Sequence, residues 1–216
     1  MGKMEIKVVD KEGRPLSEPY TLRLWGWTEE RYLKEAPRDR KCEYARGEVI
    51  LMSPMGKGHS EMVSFASFLL KGYCDFKYLG EILLGPTIRF LREVNREPDI
   101  CFYPKEMLPL PEEIPLTKIP PFVLEVSLAT RNLDLGEKAK DYEQAQVQEY
   151  WVVDLDEKEL VVHKLQKGKY EPQSWREGRV ESQVIQGFWI QAEWLFGESL
   201  PNSWVCLKRI LGEFET

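Results

Sequence analysis

Apolar positions along this chain recur with two spacings, and the switch between them predicts the elements. Alternation with a period of two predicts strands over Met4–Val9 and Tyr20–Trp25, and later at Ile82–Leu84 and Thr87–Leu91. Cys42–Met52 reads as two strand-like pieces broken by Arg46-Gly47, with Glu48 opening the run Val49–Met52. Asp10–Gly13 and Asn95-Arg96 read as turns, and Ser53–Gly58 as a loop. A spacing of three and four predicts a helix over His59–Tyr73, whose apolar face is Met62, Phe65, Ala66, Leu69 and Leu70. A shorter helix follows Thr28, which suits an N-cap with Glu29 and Glu30 in the first turn, and Pro37 ends it.

The second half repeats the pattern around one strong strand, Phe122–Val126. Its alternation puts Phe122, Leu124 and Val126 on one face and Val123, Glu125 and Ser127 on the other. Six prolines from Pro104 to Pro121 predict an ordered surface loop before it. Asp134 and Glu137 resemble a capping box for a helix running to about Gln146, on which Lys138, Tyr142 and Ala145 share a face. Lys140 falls on the far side, toward water. Strands at Glu149–Asp154 and Leu160–Leu165 follow, then antiparallel strands punctuated by Gly168 and Gly178, with late aromatic packing from Phe188-Trp189 and Trp194–Phe196. Strands interrupted by about three helices predict an α/β domain on a mixed sheet. A doubly wound fold would need more alternation and a glycine-rich phosphate loop, and the sequence has neither.

Composition adds little to this picture. The chain has 216 residues, a formal charge of -6, and 43% hydrophobic and 31% charged residues, an ordinary globular balance. A nucleic-acid partner would therefore need a local basic patch. Arg38, Arg40, Lys41 and Arg46 form one cluster, and Arg89, Arg92 and Arg96 another, with Lys57 between them in the chain. Cys42, Cys74, Cys101 and Cys206 are widely spaced, which predicts reduced buried thiols. Neither a leader-like apolar segment nor a run long enough to span a bilayer is present in the sequence. The expectation is a soluble cytoplasmic protein.

The candidate chemistry lies between Glu97 and Asp154. Asp99 precedes the apolar run Ile100–Phe102, and Glu125 sits inside another. An acid among apolar strand residues is costly unless it is paired or binds a metal. Two such acids followed by a helix carrying Lys138 suggest a metal-dependent site for phosphoryl chemistry.

These residues resemble the PD-(D/E)-x-K nuclease motif, and the longer run resembles the Uma family of restriction-endonuclease-like proteins. The matching pieces are CEYARGEVILMSP, GKGHSEMV, EPDICFYP, PPFVLEVSLATRNLDLGEKAKDYEQAQVQEYWVVD and QGFWIQAEWLFG, covering about residues 27–197. The resemblance implies a restriction-endonuclease-like α/β fold: a central mixed sheet flanked by helices, with additional N-terminal and C-terminal antiparallel strands. Residues 1–26 are then a strand extension packed on a main domain over 27–216.

The resemblance further implies a Mg²⁺ or Mn²⁺ site from Asp99 and Glu125, with Glu48 as third acid and the Val126 carbonyl as a further ligand. The motif's lysine position is Ser127, so the resemblance moves the cation to Lys138 on the following helix. The implied activity is endonucleolytic hydrolysis of DNA by Asp99, Glu125 and Lys138, with Lys57, Arg46 and His59 as nucleic-acid contacts and a homodimer as the expected assembly. Tyr142 is expected in the core and His163 outside the chemistry. The alternative is an inactive nuclease fold serving as a nucleic-acid-binding or assembly module, which Ser127 and the acidic charge balance favour.

Overall fold

The computed structural model describes residue 14 and residues 20–213, so the strand expected over Met4–Val9 and the turn after it lie outside the described residues. The elements in chain order are β1 (Thr21–Trp25), α1 (Glu29–Glu35), β2 (Cys42–Ala45), β3 (Glu48–Met52), α2 (Lys57–Lys77), β4 (Gly80–Leu84), β5 (Ile88–Leu91), β6 (Val94–Arg96), β7 (Ile100–Pro104) and β8 (Phe122–Ser127). A π-helical turn, Leu133–Lys138, runs into α3 (Ala139–Gln144). Then come β9 (Glu149–Asp154), β10 (Glu159–Gln166), β11 (Lys169–Trp175), β12 (Arg179–Glu181), β13 (Trp189–Gln191) and α4 (Ser203–Leu211).

A six-stranded mixed sheet, ordered β11-β10-β9-β8-β7-β4, forms the centre. β8 and β9 are parallel, as the helical crossover between them requires, and the other neighbours are antiparallel. The alternation expected of β8 is observed. Phe122, Leu124 and Val126 join Trp151, Val153 and the apolar face of α2 in one core. Val123 lies on the opposite face with Tyr142, Tyr150 and Val152. α4 packs over α2 where Gly72 lacks a side chain: a Cβ there would stand 2.6 Å from Leu207. The sequence reading places no helix at α4, although Asn202 caps it by accepting from the Val205 N–H.

A second sheet, antiparallel and ordered β1-β3-β2-β6-β5, lies beside the first. It corrects one expectation. Asn95 and Arg96 are not a turn but part of β6, and both are fully buried. Their polar groups read as loop, yet carboxylates on other elements accept from them: the half-buried Glu29 from Asn95 Nδ2, and the buried Glu43 and Asp141 from Arg96. The α3 expectation is corrected too. Asp134 is no N-cap, because helical structure begins at Arg131 and the Thr130 carbonyl accepts the first N–H bonds, from Leu133 and Asp134.

Glu149, at the start of β9, ties the small β12–β13 hairpin to the central sheet. It is fully buried and accepts from Trp151 Nε1 at 2.9 Å, Ser182 Oγ at 2.7 Å and the backbone N–H groups of Gln183 and Val184 at 2.9 and 3.1 Å. Glu149→Ala strands several buried donors at once, each costing about 1–3 kcal/mol. Urea denaturation should show a loss of about 3 kcal/mol or more.

Candidate active site

The site begins with strand pairing. Ile100 lies opposite Leu124 across β7 and β8, which sets the preceding Asp99 beside Glu125. Backbone groups lock the two together: the Val126 N–H donates to Asp99 Oδ2 at 2.8 Å, and the Asp99 N–H to Glu125 Oε2 at 3.3 Å. The 26-residue separation read from sequence is thus a β7–loop–β8 return that brings two acids side by side on adjacent strands.

Lys138 reaches them from the end of the π turn. Its Nζ lies 2.8 Å from Glu125 Oε1, 3.2 Å from Glu43 Oε1 and 3.1 Å from Asp134 Oδ1. Tyr142, one turn on, also donates to Glu125 Oε1, at 2.9 Å. It is a core residue, as expected, and a partner of the acid as well. On the other side Lys41, in the linker before β2, bridges Asp99 Oδ1 at 2.8 Å and Glu125 Oε2 at 3.1 Å. His59, in the first turn of α2, points Nε2 toward Asp99 Oδ2 at 3.4 Å, while its buried Nδ1 has no partner in the structure. Expected as a nucleic-acid contact at the start of the helix, His59 has a side chain only 12% exposed in the structure.

An arginine layer backs this cluster. Arg96 is wholly buried, donating to Glu43 Oε2 at 3.0 Å and to Asp141 Oδ2 at 2.6 Å. Of the two basic clusters read from sequence, Arg96 is therefore structural, and Arg89 is held by Glu29 at 2.8 Å. Arg46 pairs with Asp141 Oδ1 at 2.6 Å rather than facing the acids. Lys57 is exposed and pairs with Glu61 at 3.5 Å.

Glu48 is the one proposed metal acid the structure does not bring in. It stands at the tip of the β2–β3 hairpin, opposite Ala45 and Trp25, and pairs with Arg23 at 2.9 Å. Glu43, on β2 and fully buried, is the third acid of the cluster instead. Alternation would have located it, because Cys42 and Tyr44 pack into a separate core on the other face. His163 is buried between Tyr150 and Tyr170, 5.3 Å from each ring, away from the acids, and burial lowers its pKa.

Two cavities meet at Lys41. One, of about 280 Å³, is lined by Lys41, His59, Glu125, Asp134, Lys138 and the Met52–Gly56 segment. The other, of about 1050 Å³, is lined by Arg38, Arg40, Lys41, Glu97, Asp99 and the 111–114 loop.

The charges shape one another. Burial pushes the Glu125 carboxyl up to about 7, against the pull of Lys138 and Lys41. Burial also works to raise Asp99, but the charge of Lys41, then His59 and Lys138, holds it well below the carboxylate range. Burial would deprotonate Lys138; Glu125 and Glu43 overcome it and hold the ammonium above its ordinary value.

Asp99 and Glu125 supply hard oxygen donors, the class that Mg²⁺ and Mn²⁺ take. Among the described residues no group of three or more His, Cys, Asp or Glu side chains is arranged to hold a metal. Mg²⁺, however, commonly takes one or two carboxylates and keeps several waters. The two oxygens facing Lys41 Nζ fit that requirement.

Comparison with known proteins agrees with this reading of the fold. A family model described as "Uma2: Putative restriction endonuclease" matches residues 29–193. A crystal structure from Anabaena variabilis, titled as a putative nuclease belonging to DUF820, superposes with a TM-score of 0.69 at 18% identity. The match covers 79% of this chain and 97% of that one. No curated protein matched the sequence.

Glu125 also carries a pH signature. Its carboxyl rises from 4.5 to about 7 on folding, so the folded state binds the extra proton between those values and loses stability as pH rises through them. Glu125→Gln cannot titrate. Chemical denaturation in chelator should show the wild type weakening relative to this variant from about pH 4.5 to 7; parallel curves would contradict the assignment.

Proposed function

The chain belongs to the Uma2 family of restriction-endonuclease-like proteins, and from that premise we propose that it is a metal-dependent endonuclease hydrolysing DNA phosphodiester bonds. The observation that carries the reading is convergence. Asp99, Glu125 and Lys138 come from three separate segments and are joined through Glu125 by contacts of 3.3 and 2.8 Å, with Glu125 and Lys138 lining the smaller cavity and Asp99 the larger one that adjoins it at Lys41.

Asp99 and Glu125 would hold the divalent ion, which when bound lowers the pKa of a water and offsets charge on the reacting phosphate. Lys138 acts as a fixed positive charge. Its acidic neighbours keep it protonated, so it can donate toward the attacking water or a phosphate oxygen but cannot serve as a general base at neutral pH. Glu43, Asp134 and Tyr142 are positioning residues, setting where that ammonium and the Glu125 carboxylate point.

Substrate approach is supported by the smaller cavity. Gly56 opens α2 with no side-chain cap, so the first-turn N–H groups, beside His59, lack intrahelical partners and suit a phosphate. Exposed Arg38 and Arg40 on the larger cavity add local positive charge to a chain whose overall charge is -6. No helix among the described residues is long and apolar enough to cross a membrane.

A second reading, an inactive nucleic-acid-binding or assembly module, is favoured by one observation: Lys41 already supplies a cation to both acids. Plasmid nicking decides between them. With Mg²⁺ or Mn²⁺ the wild type should cut, and the near-isosteric Asp99→Asn and Glu125→Gln should lower the rate by about 10²-fold or more. Equal cutting by wild type and variants identifies a contaminant and sinks the nuclease reading. Binding without cutting supports the module.

A further inference from the structure

Lys41 stands where the preceding reading puts the metal. Its ammonium touches one oxygen of each acid, Asp99 Oδ1 at 2.8 Å and Glu125 Oε2 at 3.1 Å. We propose that Lys41 is a tethered counter-cation that occupies the divalent-ion position in the metal-free protein and must withdraw for the ion to bind. This rests on the metal-dependent reading of the same acids.

The two lysines of the cluster are built differently. Lys138 is 1% exposed, sits on a helix and is gripped by three carboxylates. Lys41 is 19% exposed and belongs to the irregular linker between α1 and β2, where Arg38 and Arg40 are exposed. Its flexible four-carbon stem lies at the boundary of both cavities, so the larger one, about 1050 Å³, offers space for the outgoing ammonium beside water.

The exchange also makes electrostatic sense. Lys138 pairs Glu125 Oε1, but among the described residues the cation that serves Asp99 Oδ1 and Glu125 Oε2 is Lys41, and buried carboxylate charge left uncompensated is strongly unfavourable. Lys41 supplies one positive charge to both, and a divalent ion supplies two from the same place. The substitute keeps the empty site folded, and the ion must displace it.

Isothermal titration with Mn²⁺ tests the exchange without reference to cutting. Lys41→Met should bind Mn²⁺ at least tenfold more tightly than wild type, and Asp99→Asn should abolish binding in both backgrounds. Wild-type binding that is unchanged or weakened in Lys41→Met overturns the proposal and leaves the metal reading standing. Absence of Mn²⁺ binding in both proteins overturns the proposal and the metal reading together. A wild-type measurement covers a variant that fails to fold: acetic anhydride labelling of Lys41, read by peptide mass spectrometry, should speed up severalfold on adding saturating Mn²⁺. An unchanged Lys41 rate overturns the proposal.

Discussion

Glu125 imposes the central constraint on this molecule. A carboxylate with 1% exposure in the middle strands of a sheet must bring its compensating partners with it. Both of its oxygens are engaged, Oε1 by Lys138 and Tyr142 and Oε2 by Lys41 and the Asp99 N–H. Those four groups come from the residue that leads into β7, the linker before β2, and the helical crossover after β8. Meeting the needs of one side chain therefore fixes how three parts of the chain dock.

The second sheet takes part through Arg96 and Glu43. Arg96 on β6 reaches Asp141 on α3, and Glu43 on β2 reaches Lys138. These buried bridges join the antiparallel sheet to the helix that carries the lysine. A purely apolar junction of the same size could be as stable, but it would not orient an ammonium. The polar seam accordingly sets the direction of charge rather than merely holding layers together.

Much of this was legible in the sequence, where short-range geometry governs. Alternation in Phe122–Ser127 separates Glu125 from the apolar face, and four-residue spacing aligns Lys138 with Tyr142; both hold in the structure. Thr28 caps α1 as its residue type suggests, accepting from the Arg31 N–H. The family resemblance and the mixed-sheet fold were legible for the same reason, since they rest on local pieces in order. Lys41 and Arg96 were not. In RDRKCEYA and VNREPD they look like solvated charges, and their burial is decided by the packing of one sheet on another, which leaves no periodic trace. Glu48 misled for the converse reason: it opens an apolar run, yet the hairpin turn at Arg46-Gly47 carries it away from the acids and toward Arg23.

The π turn over Leu133–Lys138 has a consequence for length. Its wide hydrogen bond, from the Ala139 N–H to the Asp134 carbonyl, accommodates one residue more than an α-helical turn would. Such a turn is equivalent to a single-residue insertion absorbed within a helix. Removing one residue between 133 and 137 would leave an ordinary α turn and one residue fewer between Thr130 and Lys138. The number of residues between Glu125 and Lys138, and not their identity alone, is thus part of what carries the ammonium to the acid.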